Sequence, residues 1–254
     1  MLGVMCSPAR MLQIEMFPAL AGNDNYGFLL HDTESGETAC IDTPELAPIV
    51  EALERRGWTL TQIWNTHHHF DHVGANLELV ERFGCEVVGN ADDAKRIKGL
   101  TRGVRGGETF RFGAHEVEVI DTPGHTVGHI CYYVPEAGAA FVGDTLFVMG
   151  CGRLFEGTPA QMHDSLAKLM ALPPETKLYC AHEYTLSNAR FAVTVDGENA
   201  EMLSAIEEAK ARRERGEFTV PTTVAKELAT NPFVRAGSAE ELGRIRALKD
   251  GFRG

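Results

Sequence analysis

As far as residue 182, apolar positions alternate at a spacing of two in short runs, and between those runs they recur at the three-to-four spacing of a helix face. Residues 11–17, 28–31 and 38–42 read as strands joined by turns. Leu46, Ile49, Val50 and Leu53 then follow a helical spacing that stops at Gly57. Residues 62–65 form a short apolar run of strand character, and residues 75–83 read as a helix. Residues 109–112 and 115–120 suggest a hairpin about Gly113, and residues 130–134 and 139–142 another about Glu136, Ala137 and Gly138. Pro159 opens a helix carrying Met162, Leu166, Leu169 and Met170, which Pro173 and Pro174 end. Residues 177–181 repeat the buried-strand pattern. Hairpins with intercalated helices suit an α+β class in which two β-sheets lie between layers of helix.

After His182 the texture changes. Residues 187–195, 198–215, 222–229 and 238–252 all read as helices with almost no strand signal, and Ser238 with Glu241 three residues on is a capping box for the last of them. The pattern predicts a catalytic-type α+β domain over residues 1–182 and a small helical domain over residues 183–254. Met11 opens the first strand-like run and is a candidate start, which would make residues 1–10 a disordered extension.

Chemistry concentrates in Thr66-His67-His68-His69-Phe70-Asp71-His72, where four imidazoles and a carboxylate fall within seven residues. A core or a solvated face has no need of such ligand density, and so many polar groups are hard to satisfy without metal. The run lies on a strand-to-helix loop. On a strand tail His67 and His69 share a face, while Asp71 and His72 follow the turn and can point at a second position. Further ligand types stop three later strand-like segments: His125 in a Gly/Pro turn after residues 117–120, Asp144 after residues 141–143, and His182 after residues 177–181. Imidazole and carboxylate donors suit zinc, iron or manganese. His68 is expected to face away, Asp42 is a candidate to support the ligands, and His31, His115, His129 and His163 read as surface or satisfied polar residues.

Composition narrows the partners. With 254 residues and 44% hydrophobic residues the chain can bury a sizeable core, and no apolar segment approaches the roughly 20 residues that cross a bilayer. The net charge of −12 argues against a nucleic-acid or anionic-membrane surface, so anion recognition must come from a few local cations. The six cysteines are spread out with no C-x-x-C pair, and the N-terminus has neither a basic n-region nor a long apolar h-region. A reduced, cytoplasmic, monomeric protein is the expectation. Ser7, Ser35, Ser165 and Ser187 lack a G-x-S-x-G setting, and Cys151 reads as a packed residue in a glycine turn, which leaves no serine or cysteine nucleophile.

The loop with its three later ligands resembles the metallo-β-lactamase superfamily. The resemblance implies an αββα sandwich, with His67, His69 and His125 on a first metal, Asp71, His72 and His182 on a second, and Asp144 bridging the two. The helical tail, with residues 151–158, 182–185, 231–235 and 246–250, is similar to the glyoxalase II family over essentially the whole chain. That likeness implies two divalent metal ions, zinc first and iron or manganese as alternatives. It implies a glutathione thioester as substrate, S-D-lactoylglutathione above all, attacked by a metal-bridging hydroxide held through Asp71 and Asp144. Residues at the positions of Arg246 and Lys249 bind the glycine carboxylate of glutathione in the family, and Tyr184 contacts the same tripeptide. Arg246 and Lys249, at i and i+3, share a helix face and so make a carboxylate clamp. Arg153 and Phe155 stand where the family usually has Lys and Tyr, and the lost hydroxyl is worth roughly 0.5–1.5 kcal/mol. Rival readings are a mononuclear-iron persulfide dioxygenase, which normally lacks the tail, a β-lactamase or nuclease, and a non-catalytic metal-binding module.

Overall fold

The computed structural model describes residues 12–20 and 24–254, so the expectations for residues 1–10 and for Met11 as a start lie outside the described residues. Strands β1 (Leu12–Pro18), β2 (Tyr26–Asp32), β3 (Thr38–Ile41), β4 (Gln62–Trp64), β5 (Glu86–Asn90) and β6 (Arg102–Val104) form one six-stranded sheet in that order. β1 to β3 pair antiparallel, and β3 to β6 parallel. β7 (Thr109–Phe112), β8 (His115–Asp121), β9 (Ile130–Val134) and β10 (Ala139–Gly143) build a second sheet as an antiparallel run. Between β10 and that sheet's next strand the chain makes a small hairpin, β11 (Leu146–Phe147) with β12 (Gly150–Cys151). β13 (Lys177–Cys180) then pairs parallel to β10, and β14 (Thr222–Thr223) closes the sheet's edge.

Helices α1 (Leu46–Arg56), α2 (Phe70–Val73) and α3 (Asn76–Phe83) belong to the first half, and α4 (Pro159–Met170) precedes β13. The tail is helical: α5 (Thr185–Asp196), α6 (Ala200–Glu214), α7 (Val224–Thr230) and α8 (Ala239–Gly251). The two-residue period explains the layering. Phe28, Leu30, Ile41, Trp64 and Val88 belong to the large inter-sheet core, while their neighbours Leu29, Cys40, Ile63 and Val87 pack with Ile49, Leu53 and Leu79 of α1 and α3. Trp64 is fully buried, edge-on to Phe110 and Phe112 of the opposite sheet, and is worth on the order of 3–5 kcal/mol there.

The helix stops follow local chemistry. Gly57 takes φ 69° and its N–H bonds Glu54 O and Leu53 O, which ends α1 where the periodicity ends. Thr158, Pro159 and Gln161 make a full capping box for α4. In the box expected for α8, Ser238 accepts the Glu241 N–H at 3.2 Å, while the Glu241 carboxylate reaches the Gly237 N–H at 2.9 Å instead of Ser238's. Residues 222–229 are not wholly helical. Thr222 and Thr223 are β-branched and pair with β13, and the Thr223 hydroxyl then caps α7 by accepting the Lys226 N–H at 3.2 Å. β3 to β6 run one way and β8, β10 and β13 run together, so their C-terminal ends gather ligands at one rim of the sandwich.

Candidate metal centre

Every expected ligand leaves the end of a strand or the turn beyond it. His67 and His69 follow β4, and Asp71 and His72 lie on the one-turn helix α2. His125 follows β8, Asp144 follows β10 and His182 follows β13. Gly143, at φ 48°, makes the turn into Asp144 possible, since a Cβ there would stand 2.6 Å from Thr66 Oγ1 and 2.7 Å from His129 Nε2.

The structure brings all seven residues together. His69 Nδ1 lies 3.0 Å from His67 Nε2 and 3.1 Å from His125 Nε2. Asp144 sits between two clusters: its Oδ2 is 3.4 Å from His125 Nε2, while its Oδ1 is 3.5 Å from His72 Nε2 and 3.3 Å from His182 Nε2. Asp71 Oδ2 completes the second cluster, 3.6 Å from His182 Nε2 and 3.8 Å from His72 Nε2. Donors at about 2.1 Å from a tetrahedral ion stand about 3.4 Å apart, so these separations fit metal binding. Two buried atoms facing the cluster, His72 Nε2 and Asp144 Oδ1, have no hydrogen-bond partner, as a cation-binding set requires. His68 turns away toward Asp93 and Glu156, at 3.4 and 3.6 Å.

Buried partners orient the ligands from behind. Asp42, itself at φ 57°, accepts the Thr66 N–H and hydroxyl at 2.8 Å each and receives His72 Nδ1 at 2.8 Å. His72 Nδ1 therefore carries the proton and Nε2 faces the cluster. His125 Nδ1 donates to Arg153 O at 2.8 Å with the same result. His129, a residue read from the sequence as merely satisfied, accepts the Asp144 N–H through Nε2 at 3.1 Å and hydrogen-bonds Thr122 Oγ1 through Nδ1 at 2.9 Å. Its partners come from the neighbouring strand ends at Thr122 and Asp144, and nothing in the spacing of the sequence marks it.

Electrostatics prepare the same atoms. Burial and crowding by other imidazoles hold His67 well below the ordinary histidine range and bring His69 down to about 4, so both are neutral and free to ligate. Burial pulls His72 down, but Asp42, Asp144 and Asp71 together carry it up to about 9. One proton must then leave His72 before metal binds its Nε2. Metal affinity at this cluster is expected to rise roughly tenfold per pH unit between about pH 6 and 8. Calorimetric titration of metal-stripped protein with zinc checks this, and a flat profile would mean that His72 is already neutral before metal binds.

A cleft of about 450 Å³ opens over the cluster, and Arg153, Phe155, Tyr184, Arg246 and Lys249 all line it. Tyr184 stacks flat on His182 with centroids 4.7 Å apart, and Phe155 stands edge-on to His69 and His125. Arg246 and Lys249 share their helix face but are differently engaged. Arg246 is buried, donates to Cys151 O at 2.9 Å and pairs with Asp250 Oδ1 at 2.9 Å, so Asp250 at i+4 takes the fork that the sequence offered to substrate. Lys249 Nζ donates to Ser187 O at 3.1 Å. Burial, Arg246 and Arg190 bring it down to about 8. Arg153 reaches the same Asp250 oxygen at 3.3 Å and lies over the Phe155 ring. Sequence reasoning gave no role to Asp250, Ser187 or Asn188, although Asp250 lies within a segment it had singled out.

This sandwich with this rim of histidines and aspartates defines a class, and the family model described as the metallo-beta-lactamase superfamily matches residues 36–182. A second, described as the hydroxyacylglutathione hydrolase C-terminus, matches residues 183–252. Curated hydroxyacylglutathione hydrolases from Erythrobacter litoralis and Rhizobium johnstonii are 52% and 55% identical to this chain, over 95% and 96% of it and all of their own length. The crystal structure of ETHE1 from Myxococcus xanthus superposes with a TM-score of 0.70 at 29% identity, over 93% of this chain and 90% of that one. The chain belongs to the metallo-β-lactamase superfamily and, within it, to the hydroxyacylglutathione hydrolase (glyoxalase II) family.

Proposed function

We propose that this chain hydrolyses glutathione thioesters, with S-D-lactoylglutathione and water giving D-lactate and glutathione. The observation that carries the reading is the placement of Asp144, whose two oxygens face two histidine clusters beneath a cleft bordered by Lys249 and Arg246. Relatives more than half identical over nearly the whole chain carry the name of this activity, which supports it further.

His67, His69 and His125 would hold one divalent ion, Asp71, His72 and His182 a second, and Asp144 would bridge them; zinc is the first choice, with iron and manganese accepting the same donors. Metal bound there supplies Lewis acidity and a water acidic enough to ionise near neutral pH. Asp42, Thr66 and His129 fix the ligand directions, so little reorganisation remains at the moment of reaction. Lys249 and Arg246 give the cleft a cationic side for the carboxylate of glutathione, while Tyr184, its inner face stacked on His182, offers its outer face to the tripeptide. Residues 1–182 would thus do the chemistry and residues 183–254 hold the carrier. A thiolate leaves readily, so no strong protein acid is required.

A mononuclear-iron persulfide dioxygenase is not favoured, because the second cluster of Asp71, His72 and His182 is fully assembled and the helical tail matches the hydrolase family. Among the described residues no helix is long and apolar enough to cross a membrane, and five described cysteines are free and buried, which suits a reducing compartment such as the cytoplasm. The direct test follows S-D-lactoylglutathione hydrolysis by loss of thioester absorbance, with a chelator-treated sample alongside. Chelator-sensitive turnover is expected; metal-loaded protein without turnover would overturn the assignment.

A further inference from the structure

The tail does more than border the cleft. Every residue from Phe147 to Cys151, the tip and return of the β11–β12 hairpin, has a main-chain group bonded to a tail side chain. Asn231 Nδ2 donates to Phe147 O at 3.2 Å and Gly150 O at 2.9 Å. Asn188 Nδ2 donates to Val148 O at 3.1 Å, and Arg246 Nη1 to Cys151 O at 2.9 Å. The Met149 N–H donates to Glu227 Oε2 at 3.0 Å. The same Glu227 oxygen accepts Asn231 Nδ2 at 2.9 Å, and its Oε1 accepts the Thr222 hydroxyl at 2.6 Å.

Two facts make this more than ordinary packing. Glu227 is fully buried, a costly place for a carboxylate, and it is retained where three donors converge on it. Met149 holds φ 55°, a conformation that side-chain-bearing residues persist in only when surroundings over-determine it. The two ends of the hairpin are in the metal centre. Asp144 lies two residues before β11. On the return side a Cβ on Gly152 would stand 2.0 Å from Asp144 O, and Arg153 O takes the His125 Nδ1–H. A displacement of the hairpin therefore moves one expected ligand directly and the support of another.

We propose that Glu227 is a positioning residue: through Met149 and Asn231 it locks the β11–β12 hairpin and so sets Asp144 and His125, coupling the tail that binds the carrier to the geometry of the metal centre. The inference rests on the metal reading above. It assigns the tail a second task, since carrier binding on α8 tightens the hairpin through Arg246 and by linkage sharpens metal binding.

The test uses Glu227→Ala and Glu227→Gln in the full chain, titrated with cobalt(II) alone after metal removal and followed by its visible absorption. Glu227→Ala is expected to bind cobalt at least about tenfold more weakly with altered bands, and to lose kcat by a similar factor with a smaller rise in KM. Glu227→Gln should restore both, because its amide oxygen can face Met149 while its NH2 donates to a rotated Thr222 hydroxyl. A folded Glu227→Ala protein that melts earlier yet binds cobalt with native affinity and spectrum would overturn the proposal. Wild-type protein that binds no cobalt would overturn the metal reading and this inference with it. Should Glu227→Ala not fold, hydrogen exchange of the wild-type holoenzyme decides. Added glutathione should slow exchange in α8 and in residues 146–151 together, and slowing confined to α8 would sink the coupling.

Discussion

Replacing Asp144 by alanine should abolish measurable hydrolysis, a loss of at least about 10³-fold in kcat, and lower the bound metal below the wild-type content. The reason is geometric and electrostatic together. One oxygen faces the first cluster and the other faces two imidazoles of the second, so no neighbour can replace both. Burial works against its charge, but His182, His72 and His125 hold the carboxyl well below the usual carboxylate range, so the charge is present at any working pH. Removing it also removes one of the carboxylates that raise His72. Asparagine keeps the shape with half the acceptors and no charge, and should fall between alanine and wild type. Metal analysis beside steady-state rates checks the series. An alanine variant that keeps the wild-type metal content would remove Asp144 from the proposed ligand set.

Reversing the charge at Lys249 should raise KM roughly 10- to 100-fold with little change in kcat, the value of one to two charge-assisted hydrogen bonds to a remote part of the substrate. Arg246→Glu should behave differently. Its guanidinium also holds Cys151 O and Asp250, so its loss strands the carbonyl and sets two carboxylates face to face, and kcat should fall along with the rise in KM. The pH profile gives the same contrast. Lys249 is brought down to about 8, so its charge is complete below that pH and lost above it. KM should climb as pH rises through about 8 and stay flat in Lys249→Arg. An unchanged KM in Lys249→Glu would sink the clamp.

The gathering of histidines and aspartates at one rim was legible from sequence because its information is local. His67, His69, Asp71 and His72 lie within six residues, and His125, Asp144 and His182 each follow a recognisable strand. What supports them was legible only in part. Asp42 drew notice as a candidate to support the ligands, whereas His129 gains its role from Thr122, Thr145 and the Asp144 amide, groups that the sheet brings together. The β11–β12 hairpin escaped because two-residue strands have no period to detect. At Arg246 the spacing correctly paired it with Lys249 on one face, but the i+4 partner Asp250 was not weighed, and it occupies the guanidinium.

The common direction of β3 to β6 and of β8, β10 and β13 leaves the molecule with two unlike rims. At the rim opposite the histidines lie the turns after β2, about Gly113 and before β10, held by a small polar set in which His115 meets Glu136 at 2.7 Å and Asp32 at 3.6 Å. None of that set reaches the ligands, so this rim can keep its shape whether or not the other is charged with ions. Substitutions at the exposed positions of those turns are therefore expected to leave the hydrolysis rate unchanged, while changes at the histidine rim are not, a contrast that steady-state rates check.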